Sequence, residues 1–350
     1  MKNGVKMIDI AKKLNVSVVT VSNALGGKDG VSEELRAKIR ATADSMGYKP
    51  SNSKRDKKQP VNTGAGKSIG IITAECFAAG IGTFYWELTA NISNKLSALD
   101  VYTVYESISV QNEKDCVLPK ILTENRIDAL IVIGQLGQPY LNVLSKVEIP
   151  LVFVDFYDNH YDIDSVVSDN FFGGYVLTDY LVRKGHKKIG FFGHVTVTSS
   201  INDRFLGYVK CLMENELEYN PEWVIKDRDR YGTIYSEFQF PEQMPTAFVC
   251  NCDETAFRVI TNLKFKGCKV PEDISVVGYD NFTVSNICIP TITTMEVDLE
   301  KMASASVEII MKKLADSTYS EGRRIIGGRL IEKNSVLDIS TKNNPDWSRK

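Results

Sequence analysis

The chain has 350 residues, is 43% hydrophobic and carries a formal net charge of −2. That apolar content supports a buried core and excludes global disorder, and no run approaches the ~20 apolar residues of a membrane span. The net charge hides an asymmetry: residues 1–60 hold 13 Lys or Arg against 6 Asp or Glu, and the remainder holds 29 against 38.

Ile8 to Leu25 reads as two short helices joined by a tight turn, with a third helix over 32–46. Ile10, Ala11 and Leu14 recur at helical spacing and predict one apolar stripe. Asn15-Val16 interrupts it, and Ser17 then offers a side-chain oxygen as the N-cap of the second helix. On that helix Val21, Ala24 and Leu25 are expected to face the core, leaving Ser17, Val18, Val19, Thr20, Ser22 and Asn23 outward. Such an exposed helix end, small, polar and β-branched, fits a DNA major groove. The surrounding positive charge attracts phosphates without choosing a sequence.

The amino-terminal stretch lacks a signal-peptide apolar region, and the seven cysteines form no framework, so a cytoplasmic chain with reduced thiols is expected. Cys250-Asn-Cys252 follows an apolar run and reads as a strand end. His160, His186 and His194 have no ligand spacing, and neither metal nor cofactor is expected.

Gly47 stops the third helix, and Tyr48-Lys-Pro50 leads the chain out. Residues 51–68 are polar, basic and rich in breakers, the composition of a flexible linker. Gly64-Ala-Gly-Lys-Ser68 resembles the tail of a phosphate-binding loop. Val61 stands where that motif needs its first glycine, and the segment leads into a strand rather than a helix.

From Ile69 onward, apolar runs at 69–72, 101–104, 129–133, 151–154, 188–192, 246–249 and 274–277 alternate with helical stretches. Those helices fall near 84–99, 112–125, 138–146, 170–184, 203–216 and 253–266. Some nine strands in βαβ units predict parallel sheets covered on both faces. They are too many for one sheet, so two α/β lobes are expected, with crossings near 155–168 and 290–298. The domain plan is a helix-turn-helix head at 1–50, the linker at 51–68 and an effector and dimerisation domain at 69–340. Its N-lobe takes 69–165 plus 298–324, and its C-lobe 166–297 plus 325–340. Ligands in such folds bind beyond the carboxyl ends of the strands, here between the lobes.

The chain resembles the LacI/GalR family of bacterial transcriptional regulators along nearly its whole length. The resemblance rests on Asp9–Leu25, Val31–Glu34 and Met46–Pro50 in the head. In the body it rests on Val167–Asn170, Leu181–Ile189, Arg204–Tyr208, Val270–Asp280, Pro290–Thr294 and Leu330–Val336. It implies a periplasmic-binding-protein-like effector domain and a homodimer presenting two heads to a near-palindromic double-stranded operator.

By resemblance, Val18, Val19 and Asn23 face base edges, while Ser17, Thr20 and Ser22 steady the helix on phosphates. Valines suit thymine methyls and asparagine suits adenine, so an A/T-containing half-site core is expected; contact of Asn23 with phosphate alone is the alternative. Tyr48, Lys54, Arg55 and Lys57 are further DNA-binding candidates. Lys57 stands where relatives carry a leucine that wedges into the minor groove, and the linker is longer than usual. A basic tether without leucine-type kinking is expected instead.

For the effector, the resemblance points to Arg204 and Asp280, joined by Asp155, the aromatic wall Phe84 and Tyr85, Cys252-Asp253, and Glu75. Carboxylates with a guanidinium suit the hydroxyls of a sugar. An Arg204–Asp280 ion pair holding the lobes together is the structural alternative. No nucleophile has a positioned base, so catalysis is not expected. The reading is a repressor of a carbohydrate-utilisation operon. Its rivals are a regulator answering to a purine or other metabolite as corepressor, and a solute-binding receptor without DNA function.

Overall fold

The chain divides into two units, Met1–Val61 and Asn62–Lys350, and the computed structural model describes residues 7–25, 31–46, 66–78 and 83–340. In the first unit, helices α1 (Met7–Leu14), α2 (Val18–Leu25) and α3 (Glu33–Ser45) pack around Ile10, Ala11, Val21, Ala24, Ile39 and Ala43. Leu14 and Leu25 lie half-buried against this core. Asn15 makes the turn at φ 51°, a left-handed conformation that asparagine tolerates better than most residues. Ser17 Oγ then accepts from the Thr20 amide at 3.0 Å and pairs with Thr20 Oγ1 at 2.8 Å. The N-cap read from the sequence is therefore present, and it draws in Thr20.

Ser17 and Val18 are exposed, whereas Thr20 and Asn23 are half-buried. The side chains of Val19 and Ser22, and all of Tyr48, Lys54, Arg55 and Lys57, lie outside the described residues.

The second unit begins with β1 (Ser68–Ala74), α4 (Glu75–Ala78), α5 (Phe84–Ser97) and β2 (Tyr102–Ile108). Next come α6 (Val110–Lys114), α7 (Lys120–Thr123), β3 (Ala129–Ile133), α8 (Gln138–Leu144), β4 (Leu151–Val154) and β5 (Ser165–Ser168). The single helix expected near 112–125 is two short ones. Ser109 caps α6, Cys116 turns at φ 54°, and Pro119, which has no amide to donate, starts α7.

After β5 the chain enters a second lobe: α9 (Asn170–Arg183), β6 (Ile189–Phe192), α10 (Ser199–Glu214), β7 (Val224–Ile225) and β8 (Ala247–Cys250). It continues through α11 (Asp253–Phe265), β9 (Ser275–Asp280), α12 (Thr283–Ile287) and β10 (Thr293–Glu296). Helix α13 (Leu299–Ala315) returns to pack on α5 and on β3 to β5. Strand β11 (Arg323–Ile326) joins the first sheet, and β12 (Arg329–Ile331) the second.

The first sheet has the order β11-β5-β4-β3-β1-β2 with every pairing parallel. The second has the order β12-β10-β9-β8-β6-β7 and is parallel except where β12 meets β10. Strands β3 and β4 are buried at every residue, which is why they read as unbroken apolar runs. The first crossing lies later than expected, since Ser165–Ser168 is a strand of the first sheet. The chain passes between lobes after Ser168, after Glu296 and across Gly327-Gly328, so three strands tie them together.

Replacing Ser17 by alanine removes the cap of α2 and should cost about 1 kcal/mol of local stability. Hydrogen exchange of the Thr20 and Val21 amides in the intact chain should quicken about fivefold, the equivalent of that loss. Unchanged exchange there would show that the cap carries no weight.

Candidate functional site

Strands β1, β3 and β4 of one lobe and β6, β8 and β9 of the other all send their carboxyl ends toward one cleft. Between them lies a cavity of about 650 Å³. The structure brings Phe84, Tyr85, Asp155, Arg204, Cys252, Asp253 and Asp280 around it. Glu75 is the exception: it is exposed, outside the cavity, and its carboxylate accepts from the Val110 amide at 3.3 Å at the start of α6. A carboxylate opening a short helix reads the same in sequence whichever way the chain turns next.

Arg204 is the best-fixed group. It is 5% exposed, on the second turn of α10. Its Nε donates to Asn170 Oδ1 at 2.8 Å, and Nη1 to the Asn251 carbonyl at 2.5 Å. The guanidinium stacks on the Tyr279 ring, 3.7 Å from its centre, and Nη2 stands 3.7 Å from Asp280 Oδ1. Burial works against this charge, but Asp280 and Asp155 outweigh it and hold it firmly protonated. Helix α9 can approach so closely only through glycine: a Cβ on Gly174 would lie 2.1 Å from the Arg204 carbonyl oxygen. Arg204 and Asp280 both belong to the second lobe, so their ion pair does not hold the lobes together.

Opposite stands Asp155, just past β4, 4% exposed and at φ 68°. Its Oδ2 accepts from the Tyr85 hydroxyl at 2.8 Å, while its buried Oδ1 has no hydrogen-bond partner. Asp280 ends β9 at φ 110°, another uncommon conformation for a side-chain-bearing residue. Burial pushes both carboxyls above the usual range, and Arg204 pulls them back. Phe77, Phe84 and Tyr85 form an aromatic wall, with Tyr85 4.6 Å from Phe77 and 5.1 Å from Phe84 between ring centres.

Asp253 lines the cavity but is already engaged. Its Oδ1 accepts from Thr294 Oγ1 at 2.6 Å and its Oδ2 from the Phe282 amide at 2.8 Å. Burial raises its pKa to about 7. Cys252 lies within 3.5 Å of Arg228 Nη2 and 3.3 Å of Thr255 Oγ1, with burial raising its thiol. It lines the cavity beside Arg228.

Arg228 itself was missed from sequence. Lys226-Asp-Arg-Asp-Arg230 looks like a solvated charge run, yet Asp227 is fully buried and Arg228 is 7% exposed on the cavity wall. Asp227 Oδ2 accepts from Arg228, Asn251 and Thr255, and Oδ1 from the His194 amide. Isoleucine 234 and Phe238 shortly after it were the available hint that this loop folds inward.

Across the cleft, Gln135 Oε1 accepts from the Ser199 amide at 2.6 Å. The Tyr157 amide donates to Ser199 Oγ at 3.2 Å, and its hydroxyl donates to Asp203 Oδ1 at 2.9 Å. First-lobe loops thus grip the start of the helix that carries Arg204.

Residues 6–51 match the family described as bacterial regulatory proteins, lacI family, and residues 178–336 match the periplasmic binding protein-like domain. The chain is 29% identical over 336 residues to the HTH-type transcriptional repressor PurR of Pectobacterium carotovorum subsp. carotovorum (strain PC1), covering 94% of this chain and 96% of that one. The fold is shared with a transcriptional regulator CelR–cellobiose complex, at TM-score 0.66 and 19% identity, over 95% of this chain and 99% of that one. It is also shared with a lac repressor dimer bound to operator and the anti-inducer ONPF, at TM-score 0.65 and 22% identity, over 96% and 100%.

Tyr157→Phe removes one cross-lobe bond, so exchange of the Ser199 amide should quicken about fivefold, the equivalent of roughly 1 kcal/mol. The β3 amides should be unaffected, and equal exchange at Ser199 would show that this bond does not hold the cleft shut. Asp253 takes up its proton more readily folded than unfolded, so its contribution to stability is full below about pH 4 and is lost as pH rises through about 7. Thermal midpoints should fall across that window, and Asp253→Asn should flatten the fall; an unchanged profile in the variant would count against this assignment.

Proposed function

Because this chain belongs to the LacI family of bacterial regulatory proteins, DNA-binding transcriptional repressors rather than enzymes, we propose that it represses a carbohydrate-utilisation operon under control of a small sugar-like effector. The family's regulators bind operator DNA and small-molecule effectors as dimers. Here two heads engage a near-palindromic operator in the cytoplasm. Val18 and Val19 meet thymine methyls and Asn23 an adenine, with Ser17, Thr20 and Ser22 on phosphates. Tyr48 and the basic tether of Lys54, Arg55 and Lys57 add contacts to the DNA backbone, making affinity strongly salt-dependent.

The observation that carries the effector assignment is the buried, unpartnered Asp155 Oδ1 on the same cavity as Asp280 and Arg204. A hydroxyl can donate to a carboxylate and accept from a guanidinium at once, and a sugar offers several. A purine could stack on Phe84 or Phe282 and donate through its N–H groups, but it lacks hydroxyls that donate to a carboxylate and accept from a guanidinium through one atom. The cellobiose-bound regulator of this fold agrees with the sugar reading. Ligand held by both lobes favours one closure over another, and only that differential affinity can alter operator binding.

A panel of neutral sugars screened by thermal shift should yield a stabilising ligand that releases or tightens operator binding in a mobility-shift assay. Asp280→Asn should weaken that ligand at least about thirtyfold, the equivalent of ~2 kcal/mol for a charged hydrogen bond. Unchanged affinity would make Asp280 a scaffold residue only. Operator selection returning G/C at every position beneath α2 would overturn the base-contact assignment.

A further inference from the structure

A second cavity of about 510 Å³ abuts the first, the two sharing Cys76, Phe77 and Gly232 in their walls. It too lies between the lobes, yet its charge is different. Lys114, at the end of α6 in the first lobe, places its ammonium 4.4 Å from the centre of the Tyr231 ring. Arg230, on the second-lobe loop after β7, places its guanidinium 4.8 Å from the same centre. Neither cation has a carboxylate within 4.0 Å among the described residues.

Gln135, Gln138, His194 and Thr196 supply further donors from both lobes. The wall also holds one carboxylate, Glu113, whose Oε1 accepts from the Gly137 amide at 2.6 Å and whose single charge offsets only part of the two cations. Arg230 Nη2 donates to the Tyr231 hydroxyl at 2.5 Å, which fixes the guanidinium beside the ring.

We infer that this second cavity is the subsite for an anionic end of the effector, so that the ligand is an acidic sugar, phosphorylated or carboxylated, spanning both cavities. The inference rests on the sugar reading of the first cavity for the neutral part of the ligand. Its physical basis is that two cations from opposite lobes converge on one ring when the cleft is shut. Without an anion, their repulsion opposes closure; an anion between them turns that repulsion into attraction for both lobes. A hydroxyl-rich body would face Asp155, Asp280 and Arg204, and its charged tail would pass Gly232 toward Lys114 and Arg230. A phosphoryl group suits this arrangement best because it accepts from ammonium, guanidinium and amide donors together.

The test uses the full-length chain and its Lys114→Ala/Arg230→Ala variant, both residues being exposed and outside every core. Titration with inorganic phosphate, followed by calorimetry, should show millimolar binding that the double variant weakens about tenfold or more, as expected for losing two charge-assisted contacts. A panel of hexoses, their 6-phosphates and glucuronate then separates the sources of the anion. The preferred sugar should bind about tenfold tighter as its phosphate than as the neutral parent. That advantage should vanish in the double variant, while neutral-sugar binding is retained.

Preference for glucuronate over glucose without a matching gain from the 6-phosphate would keep the subsite and assign it to a carboxylate. Phosphate binding indifferent to the double variant would overturn the proposal, as would equal affinity for neutral and anionic sugars. If phosphate binding follows Lys114 and Arg230 while no sugar binds, the anion site stands and the sugar reading fails.

Discussion

A buried guanidinium organises the cleft. Taking Arg204 out of water costs several kcal/mol unless its charge and most of its donors find partners. The fold answers with the Asn170 amide oxygen, the Asn251 carbonyl, the face of Tyr279 and the carboxylate of Asp280. These partners come from the start of α9, the end of β8 and the end of β9, so satisfying one side chain fixes three elements at the carboxyl edge of the second sheet. The near-contact of α9 with α10 at Gly174 and Gly207 follows the same constraint, since larger residues would lift the helix bearing Arg204 away from Asn170.

The second lobe therefore presents a rigid, pre-arranged face, and the first lobe supplies what moves against it. Asp155 and Tyr157 come from one loop after β4 but have different tasks. Asp155 lines the cavity and keeps one buried oxygen without a hydrogen-bond partner, while Tyr157 reaches across to α10. On the proposed reading, ligand recognition and lobe closure are joined through the three consecutive residues 155–157. The three strand crossings let the lobes change their mutual angle without rebuilding either sheet, the arrangement that hinge-type closure needs.

Much of this was legible beforehand because the signals are local. The alternation of apolar runs and helical stretches gave two parallel sheets, and Ser17 marked the start of the second helix. Asp280 could be placed at a strand end because Val276-Val-Gly-Tyr279 is a buried run with a charge after it. Some readings failed for physical reasons. Pro119 and the turn at Cys116 divide what periodicity presented as one helix. Ser165–Ser168 is too short and too polar at its ends to stand out, yet pairing with β4 and β11 makes it a strand. An Arg204–Asp280 clamp between the lobes is excluded because both residues lie on the second lobe.

Sequence by itself determined most of the elements, their order and the resemblance to a regulator family, because caps, turns and hydrophobic period act over a few residues. Only the tertiary structure decided which charges are buried. Asp227 and Arg228 look solvated in a run of alternating charge, yet Asp227 is fully buried and Arg228 lies on the cavity wall; Glu75 looks like a ligand group, yet it lies outside the cavity and accepts from the first amide of α6. Burial depends on what the rest of the chain places against a residue, and no local pattern encodes that.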